Sequence, residues 1–182
     1  MQIPKLAVII PCYNEELCIE KTCRRLLEVL EMLVEKGKIS SDSYIYCVDD
    51  GSNDSTWSIV ERLHSETSLV KGATFVRNYG NQKALIAGLE GVRDLGCDCA
   101  VSIDADLQQD ELSIEQFVDE YQKGYDIVLG VRNDRKTDNF FKKITAIMFY
   151  KLMNILGSKI AMNHSDYRLV SKKALDMMDL YS

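Results

Sequence analysis

Short apolar runs alternate with amphipathic segments along this chain, and that alternation constrains the fold more than any other feature of the sequence. Residues 6–10 (LAVII) and 44–48 (YIYCV) have the length and apolarity of buried strands. Further strands are predicted at 73–77, 100–103 and 126–130, and helices at 15–35, 56–64, 83–95, 113–123 and 140–156. The pattern predicts an α/β fold in which helices cover both faces of a mostly parallel sheet.

The composition suits one globular domain over residues 1–182, since 46% of the residues are hydrophobic and 27% are charged. A net charge of −6 gives the chain no general attraction for nucleic acid. The six cysteines include no C-x-x-C pair, so we expect reduced core residues of a cytosolic protein.

Polar loops follow the predicted strands, with the sequences PCYNEE, DDGSND, RNYGNQK, DADLQQD and GVRNDR. The carboxyl ends of parallel strands share one edge of a sheet, where ligands bind, so these loops are expected to form one site. The chain has neither a G-x-G-x-x-G fingerprint nor a P-loop, which excludes the usual backbone cradles for phosphate.

The acidic loop contains Asp104, Asp106 and Gln108 at alternate positions. If this segment is extended, the three side chains share one face and their oxygens can bind Mg²⁺ or Mn²⁺. A cation between the two aspartates would also relieve their mutual repulsion. The alternative is a solvated turn, in which aspartate is common because it bonds to the local backbone.

Six segments together resemble a known family. They are VIIPCYNEE, VDDGSNDST, RNYGNQKALIAGL, SIDADLQQD, GVR and SDYRL, and in this order they resemble the family 2 glycosyltransferases of GT-A fold, a Rossmann-like fold of nucleotide-diphospho-sugar transferases. Within that family the chain is most similar to the polyprenyl-phosphate glycosyltransferases, the group that includes dolichol-phosphate mannosyltransferase. The resemblance covers nearly the whole chain.

The resemblance implies a donor site for a UDP- or GDP-linked sugar. Asp50 would contact a ring nitrogen of the base, and Lys83 would either reach the donor phosphate or remain a solvated helix lysine. Asp49 is expected to be structural. The remaining implied donor contacts are Pro11, Tyr13 and Glu15 for the nucleoside, Asp104, Ala105 and Asp106 for the diphosphate, and Asp104, Asp106 and Gln108 for the metal.

The resemblance also implies an acceptor site. Arg132, Arg135 and Lys142 would bind a polyprenyl phosphate, because the arginine fork matches a phosphate; the alternative is a charged surface loop. Arg168, with Asp166, would order the active-site loop or touch the sugar. Segment 144–156 is either a helix on the membrane surface or a packing element.

These assignments imply a mechanism. A phosphate acceptor is already anionic near neutral pH, so direct displacement with inversion needs no catalytic base. Asp104, Asp106 and Arg132 would be the catalytic residues.

Three functions follow from this site. The leading hypothesis is transfer of a sugar to undecaprenyl or dolichyl phosphate at the cytoplasmic face of the cell membrane, by a domain cut before C-terminal membrane-associated segments. The second is transfer to a sugar hydroxyl in polysaccharide or surface-glycan synthesis. The third is a nucleotide-sugar-binding protein without catalysis, and a homo-oligomer is left open.

Overall fold

The structure is a computed structural model that describes residues 3–131 and 164–178. It contains a six-stranded sheet in the order β3-β2-β1-β4-β6-β5. β1 pairs in parallel with β2 and β4, and β2 pairs in parallel with β3, whereas β6 runs antiparallel to β4. The strands are β1 (Leu6–Cys12), β2 (Tyr44–Asp49), β3 (Val70–Thr74), β4 (Cys99–Ser102), β5 (Ile127–Val131) and β6 (His164–Ser171). The predicted mostly parallel sheet is confirmed.

Helices follow the strands in the predicted alternation. Asp110 caps a short 3-10 turn at Glu111–Ser113 by accepting a hydrogen bond from the Leu112 backbone N–H. The helices are α1 (Ile19–Glu35), α2 (Thr56–Glu66), α3 (Asn81–Asp94), α4 (Ile114–Gln122) and α5 (Lys172–Met178).

Alternate residues of β1 belong to two different hydrophobic cores. Val8 and Ile10 pack in one core with side chains of α1, α2 and α4, while Ile9 packs in the other with side chains of α3. This is the period of two that a strand imposes on its side chains. Both faces of the sheet are therefore covered by helices, as the apolar run at 6–10 predicted.

Close packing of α3 against β1 depends on Gly88. A Cβ atom at this position would lie 2.5 Å from Cγ2 of the buried Ile9, so any larger residue would require either Ile9 or the helix to move. The same helix begins at Asn81, beside the carboxyl ends of the central strands.

Some predicted boundaries are wrong. β3 begins at Val70, three residues before the prediction, and α1 begins at Ile19 after a loop that was predicted as helix. β6 was not predicted as a strand, because its pairing with β4 joins residues far apart in sequence. The helix predicted at 140–156 lies outside the described residues.

The chain divides into two compact units, Met1–Val128 with Asp166–Ser182, and Leu129–Ser165. The site described below belongs entirely to the larger unit. One domain over residues 1–182 therefore stays a prediction. Across 3–131 and 164–178, no helix combines the length and apolar character needed to cross a bilayer.

Candidate active site

A cavity of about 320 Å³ opens at the carboxyl ends of the central strands. β1 ends there at Cys12, β2 at Asp49 and β4 at Ser102, and α3 begins there. This is the edge at which the sequence predicted the site. The lining residues are Pro11, Cys12, Tyr13, Glu15, Asp50, Asn78, Gly80, Asn81, Ala84, Asp104, Ala105 and Asp106.

Most of the predicted donor residues line this cavity together. They are Pro11, Tyr13, Glu15, Asp50, Asp104, Ala105 and Asp106. Lys83 and Gln108 do not line it, and Arg132, Arg135 and Lys142 lie outside the described residues. Sequence reasoning missed Asn78 and Asn81, although the loop RNYGNQK that contains them was placed at the correct edge.

The loop after β1 is held in place by the loop after β2. Asn14 donates its backbone N–H to Ser52 Oγ at 2.9 Å, and its side-chain oxygen accepts from the Asn53 backbone at 2.9 Å. The Glu15 backbone N–H donates to Thr56 Oγ1 at 2.8 Å. These reciprocal bonds fix the backbone from which Tyr13 and Glu15 reach the cavity.

Glu15 has a side-chain partner in Cys18. The Cys18 thiol donates a hydrogen bond to Glu15 Oε2 at 3.0 Å. Burial and this bond to a carboxylate together raise the pKa of Cys18 to about 12, since both disfavour the thiolate. Cys18 is thus a neutral hydrogen-bond donor near pH 7. All six cysteines are free thiols, as expected.

Two adjacent buried aspartates anchor two different loops. Asp49 accepts hydrogen bonds from the backbone and hydroxyl of Ser52 and, at 2.7 Å, from Thr74 Oγ1. Asp50 accepts from the backbone N–H groups of Tyr79 at 2.7 Å and Gly80 at 2.8 Å. Asp49 is therefore structural, as predicted, whereas Asp50 holds the loop before α3 and also lines the cavity.

Lys83 lies beside an aromatic ring of the same loop. Its Nζ is 5.3 Å from the ring centroid of Tyr79, and the Arg77 guanidinium carbon is 4.9 Å from that centroid. Phe75 contacts the ring edge to face at 5.5 Å. These cation–π contacts account for Lys83 without a phosphate, so its donor role stays a prediction.

The acidic loop is not an extended strand, and this part of the prediction is wrong. β4 ends at Ser102, a turn follows at Ala105 and Asp106, and Leu107 has a φ of 50°. Because of this turn, alternate residues no longer share a face. Asp104 and Asp106 line the cavity, while Gln108 is exposed, and its role as a metal ligand stays a prediction.

Two buried side chains hold the turn in place. Thr22 of α1 donates its hydroxyl to the Ala105 carbonyl at 2.6 Å. Gln109 accepts from the Asp104 backbone N–H at 2.9 Å and donates to Asp104 Oδ2. The aspartates therefore leave the sheet on a backbone that is supported from both sides.

The cavity has the chemistry of a shared metal site. Asp104 and Asp106 supply hard oxygen donors, which Mg²⁺ and Mn²⁺ prefer. In the part of the chain that the structure describes, no three His, Cys, Asp or Glu side chains could hold an ion by themselves. The residues thus fit an ion that takes its remaining ligands from a diphosphate and water.

The strand β6 supports the segment after the acidic loop. The Tyr167 hydroxyl donates to the Asp110 carbonyl at 2.8 Å, and the Tyr167 ring packs 4.7 Å from that of Phe117. Burial raises the pKa of Tyr167, so it remains a neutral donor. Arg168 pairs opposite Ser102, at the end of β4, and its function stays a prediction.

Comparison with known proteins identifies the family. The family model Glycosyl transferase family 2 matches residues 7–178. The chain therefore belongs to glycosyl transferase family 2 and has the GT-A fold, as its sequence motifs indicated.

Named relatives agree with this assignment. The chain is 45% identical over 178 residues to the uncharacterized glycosyltransferase YkoT of Bacillus subtilis, covering 98% of this chain and 52% of that protein. It is 36% identical over 180 residues to the bactoprenol glucosyl transferase of Shigella phage SfX, covering 97% of this chain and 55% of that protein. The chain thus spans about half the length of the curated relatives it matches.

Solved structures share the fold at low sequence identity. Glucosyl-3-phosphoglycerate synthase from Mycobacterium tuberculosis, solved with uridine-diphosphate, has a TM-score of 0.61 at 21% identity, covering 93% of this chain and 57% of that chain. The mannosyltransferase PcManGT from Pyrobaculum calidifontis, solved with GDP-Man and Mn²⁺, has a TM-score of 0.56 at 17% identity, covering 98% of this chain and 47% of that chain.

Proposed function

We propose that this chain is the catalytic domain of a metal-dependent, inverting glycosyltransferase that moves a sugar from a nucleoside diphosphate to a polyprenyl phosphate. The observation that carries the proposal is the cavity at the sheet edge, where Asp50, Asp104 and Asp106 converge in a family 2 domain. The bactoprenol acceptor named for the phage relative supports a polyprenyl phosphate here.

The donor would lie in this cavity with its nucleoside against the loop after β1. Pro11, Tyr13 and Glu15 provide an apolar surface, a half-exposed ring and a carboxylate. Asp50 would accept a hydrogen bond from a base N–H in addition to its two backbone bonds, because each carboxylate oxygen has two acceptor positions. A uracil and a guanine both offer such a donor.

The diphosphate would lie beside Asp104 and Asp106. These two carboxylates would hold a Mg²⁺ or Mn²⁺ ion, with Gln108 as the proposed third ligand. When bound, such an ion supplies positive charge that stabilises the departing nucleoside diphosphate. The protein's own part is to hold the turn, through Thr22, and the Asp104 carboxylate, through Gln109.

The acceptor phosphate would attack the anomeric carbon from the side opposite the leaving group. The new bond joins that carbon to a phosphate oxygen, the bond to the nucleoside diphosphate breaks, and the configuration inverts. A phosphate monoester is largely ionised at neutral pH, so no side chain has to remove a proton. Arg132, Arg135 and Lys142 are the proposed groups that position it.

A hydroxyl acceptor would need a carboxylate base near the sugar. The two candidates are Asp110 and Glu111, and neither lines the cavity. Asp110 caps the 3-10 turn, and Glu111 pairs with Arg25 at 2.9 Å. Because both carboxylates have structural partners, the described residues favour a phosphate acceptor over a hydroxyl.

The test is an assay of the full-length protein in membranes with labelled UDP- and GDP-sugars. The expected product is a lipid-linked monosaccharide whose formation requires Mn²⁺ or Mg²⁺ and stops in Asp106→Ala. Label found only in polymer would support the hydroxyl acceptor instead. Donor binding without any transfer would support the non-catalytic alternative.

We also propose that the enzyme acts at a membrane, on its cytoplasmic face, as a polyprenyl phosphate acceptor and a nucleotide-sugar donor would require. A protease added to sealed, right-side-out vesicles should leave the domain intact, and should digest it after the vesicles are opened. Digestion before opening would contradict this orientation.

A further inference from the structure

The carboxamide of Gln109 contacts Asp104 at two points. Its Oε1 accepts a hydrogen bond from the Asp104 backbone N–H at 2.9 Å, and its Nε2 donates to Asp104 Oδ2. The side chain is only 6% exposed, so water has little access to compete for either bond. One amide therefore binds both the backbone and the carboxylate of the same residue.

Chemistry fixes the orientation of this amide. If oxygen and nitrogen were exchanged, the amide NH₂ would face the Asp104 N–H, donor against donor, and its oxygen would face a carboxylate oxygen. Both contacts would then be repulsive. The Gln109 NH₂ group must therefore point at the carboxylate and donate to it.

Asp104 needs such support because it lies beyond the end of β4, which stops at Ser102. Sheet hydrogen bonding does not fix its side chain, and the turn that follows includes the positive φ of Leu107. Partners that orient a ligating carboxylate usually affect metal affinity about 10- to 100-fold.

We infer that Gln109 is a positioning residue for the divalent ion and diphosphate of the donor site. It orients the Asp104 carboxylate toward the cavity without itself touching the ion. The inference rests on the proposed function, since it assumes that Asp104 binds an ion. The two adjacent glutamines therefore have different roles, because Gln109 is buried against Asp104 and Gln108 is exposed.

The test measures the Kd for Mn²⁺ of the purified full-length protein, once in the presence of UDP and once in the presence of GDP. The electron paramagnetic resonance signal of free Mn²⁺ gives the unbound concentration. Gln109→Met keeps an unbranched side chain of similar length and removes both hydrogen bonds. The matched control is Gln122→Met, which removes a bond from Gln122 Nε2 to the Lys38 carbonyl at 3.1 Å away from the cavity. Gln109→Asn, whose amide is one methylene shorter, serves if the methionine variant does not fold.

Gln109→Met and Gln109→Asn are expected to raise the Kd for Mn²⁺ about 10- to 100-fold. At saturating Mn²⁺, kcat should return close to the unsubstituted value, which a general loss of structure would not allow. Gln122→Met should lower thermal stability while leaving the Kd unchanged.

Several results would overturn the inference. The role of Gln109 would be wrong if both Gln109 variants bound Mn²⁺ with a Kd within about twofold of the original protein while Asp106→Asn abolished binding. The proposed function would be unaffected by that result. If Gln109→Met and Gln122→Met weakened Mn²⁺ binding equally, the effect would come from a loss of stability and not from positioning of Asp104. Absence of Mn²⁺ binding by the unsubstituted protein with either nucleotide would overturn the metal-dependent function together with the role of Gln109.

Discussion

The hydroxyl of Thr22 donates a hydrogen bond to the carbonyl of Ala105 at 2.6 Å, joining α1 to the turn between the two cavity aspartates. Thr22 is 2% exposed, so this carbonyl would have no water to replace the lost donor. The position of Asp104 and Asp106 thus depends on a helix that contributes no side chain to the cavity lining.

Thr22→Val should therefore destabilise the protein and weaken Mn²⁺ and nucleotide binding. The expected loss in the free energy of unfolding is about 1–3 kcal/mol, the cost of an unsatisfied buried polar group. Thr22→Ser keeps the hydroxyl and should lose much less. Urea denaturation of both variants checks this, and equal midpoints for Thr22→Val and the original protein would contradict it.

Asp50→Asn should raise the KM for the nucleotide sugar. An asparagine offers one oxygen in place of two, so a backbone N–H of Tyr79 or Gly80 would lose its acceptor and the loop before α3 would shift. Hydrogen bonds to charged groups contribute about 1.5–3 kcal/mol, which corresponds to at least a tenfold effect.

Asp49→Asn is the matched control for Asp50→Asn, because Asp49 is equally buried but bonds Ser52 and Thr74 instead. It should lower the melting temperature and raise the KM less than Asp50→Asn does, since its carboxylate does not line the cavity and affects the loop after β1 only through Ser52. If both variants changed KM equally, the division of roles between the two aspartates would be wrong.

Gly51→Ala should be far more damaging than Gly37→Ala. Both glycines have positive φ, 69° and 66°, so an alanine at either position adds about 1–2 kcal/mol of backbone strain. A Cβ at Gly51 would also lie 2.4 Å from the Arg77 carbonyl carbon, whereas nothing lies within 4 Å at Gly37. Overpacking adds about 1–3 kcal/mol, so the variants should differ by roughly that amount in thermal unfolding.

Cys18 should react slowly with alkylating reagents in the native protein. With a pKa of about 12, only about one thiol in ten thousand is ionised at pH 8, and the thiolate is the reactive form. Raising the pH toward 12 should speed the reaction. Glu15→Gln removes the nearby negative charge and the carboxylate acceptor, so it should lower the pKa of Cys18 and accelerate alkylation at pH 8.

Mass spectrometry of the peptide that contains Cys18 follows this reaction. The urea-unfolded chain gives the rate of an unperturbed thiol for comparison. An equal native rate for the original protein and Glu15→Gln would show that the contact between Glu15 and Cys18 does not form in solution.

The sequence predicted the sheet and the location of the site because both follow from local patterns. The apolar run of β1 and the polar loops after the strands were sufficient to place Tyr13, Asp50 and Asp106 at one edge. The resemblance to family 2 glycosyltransferases then supplied their proposed roles, which no local pattern reveals.

The failures have long-range causes. β6 pairs with β4, which lies far away in sequence, and the segment around Tyr167 and Arg168 was not predicted as a strand. The acidic loop was predicted as extended, but two contacts hold it in a turn instead. Thr22 is far away in sequence, and Gln109 lies on the other side of the turn. Such contacts could not be read from spacing alone.

Gly88 influences the cavity without lining it. Gly88 lies one helical turn beyond Ala84, which borders the cavity, and the close approach to Ile9 sets the depth at which this part of α3 rests on the sheet. A larger residue at Gly88 is therefore expected to change the shape of the cavity near Ala84, although Gly88 itself does not line it.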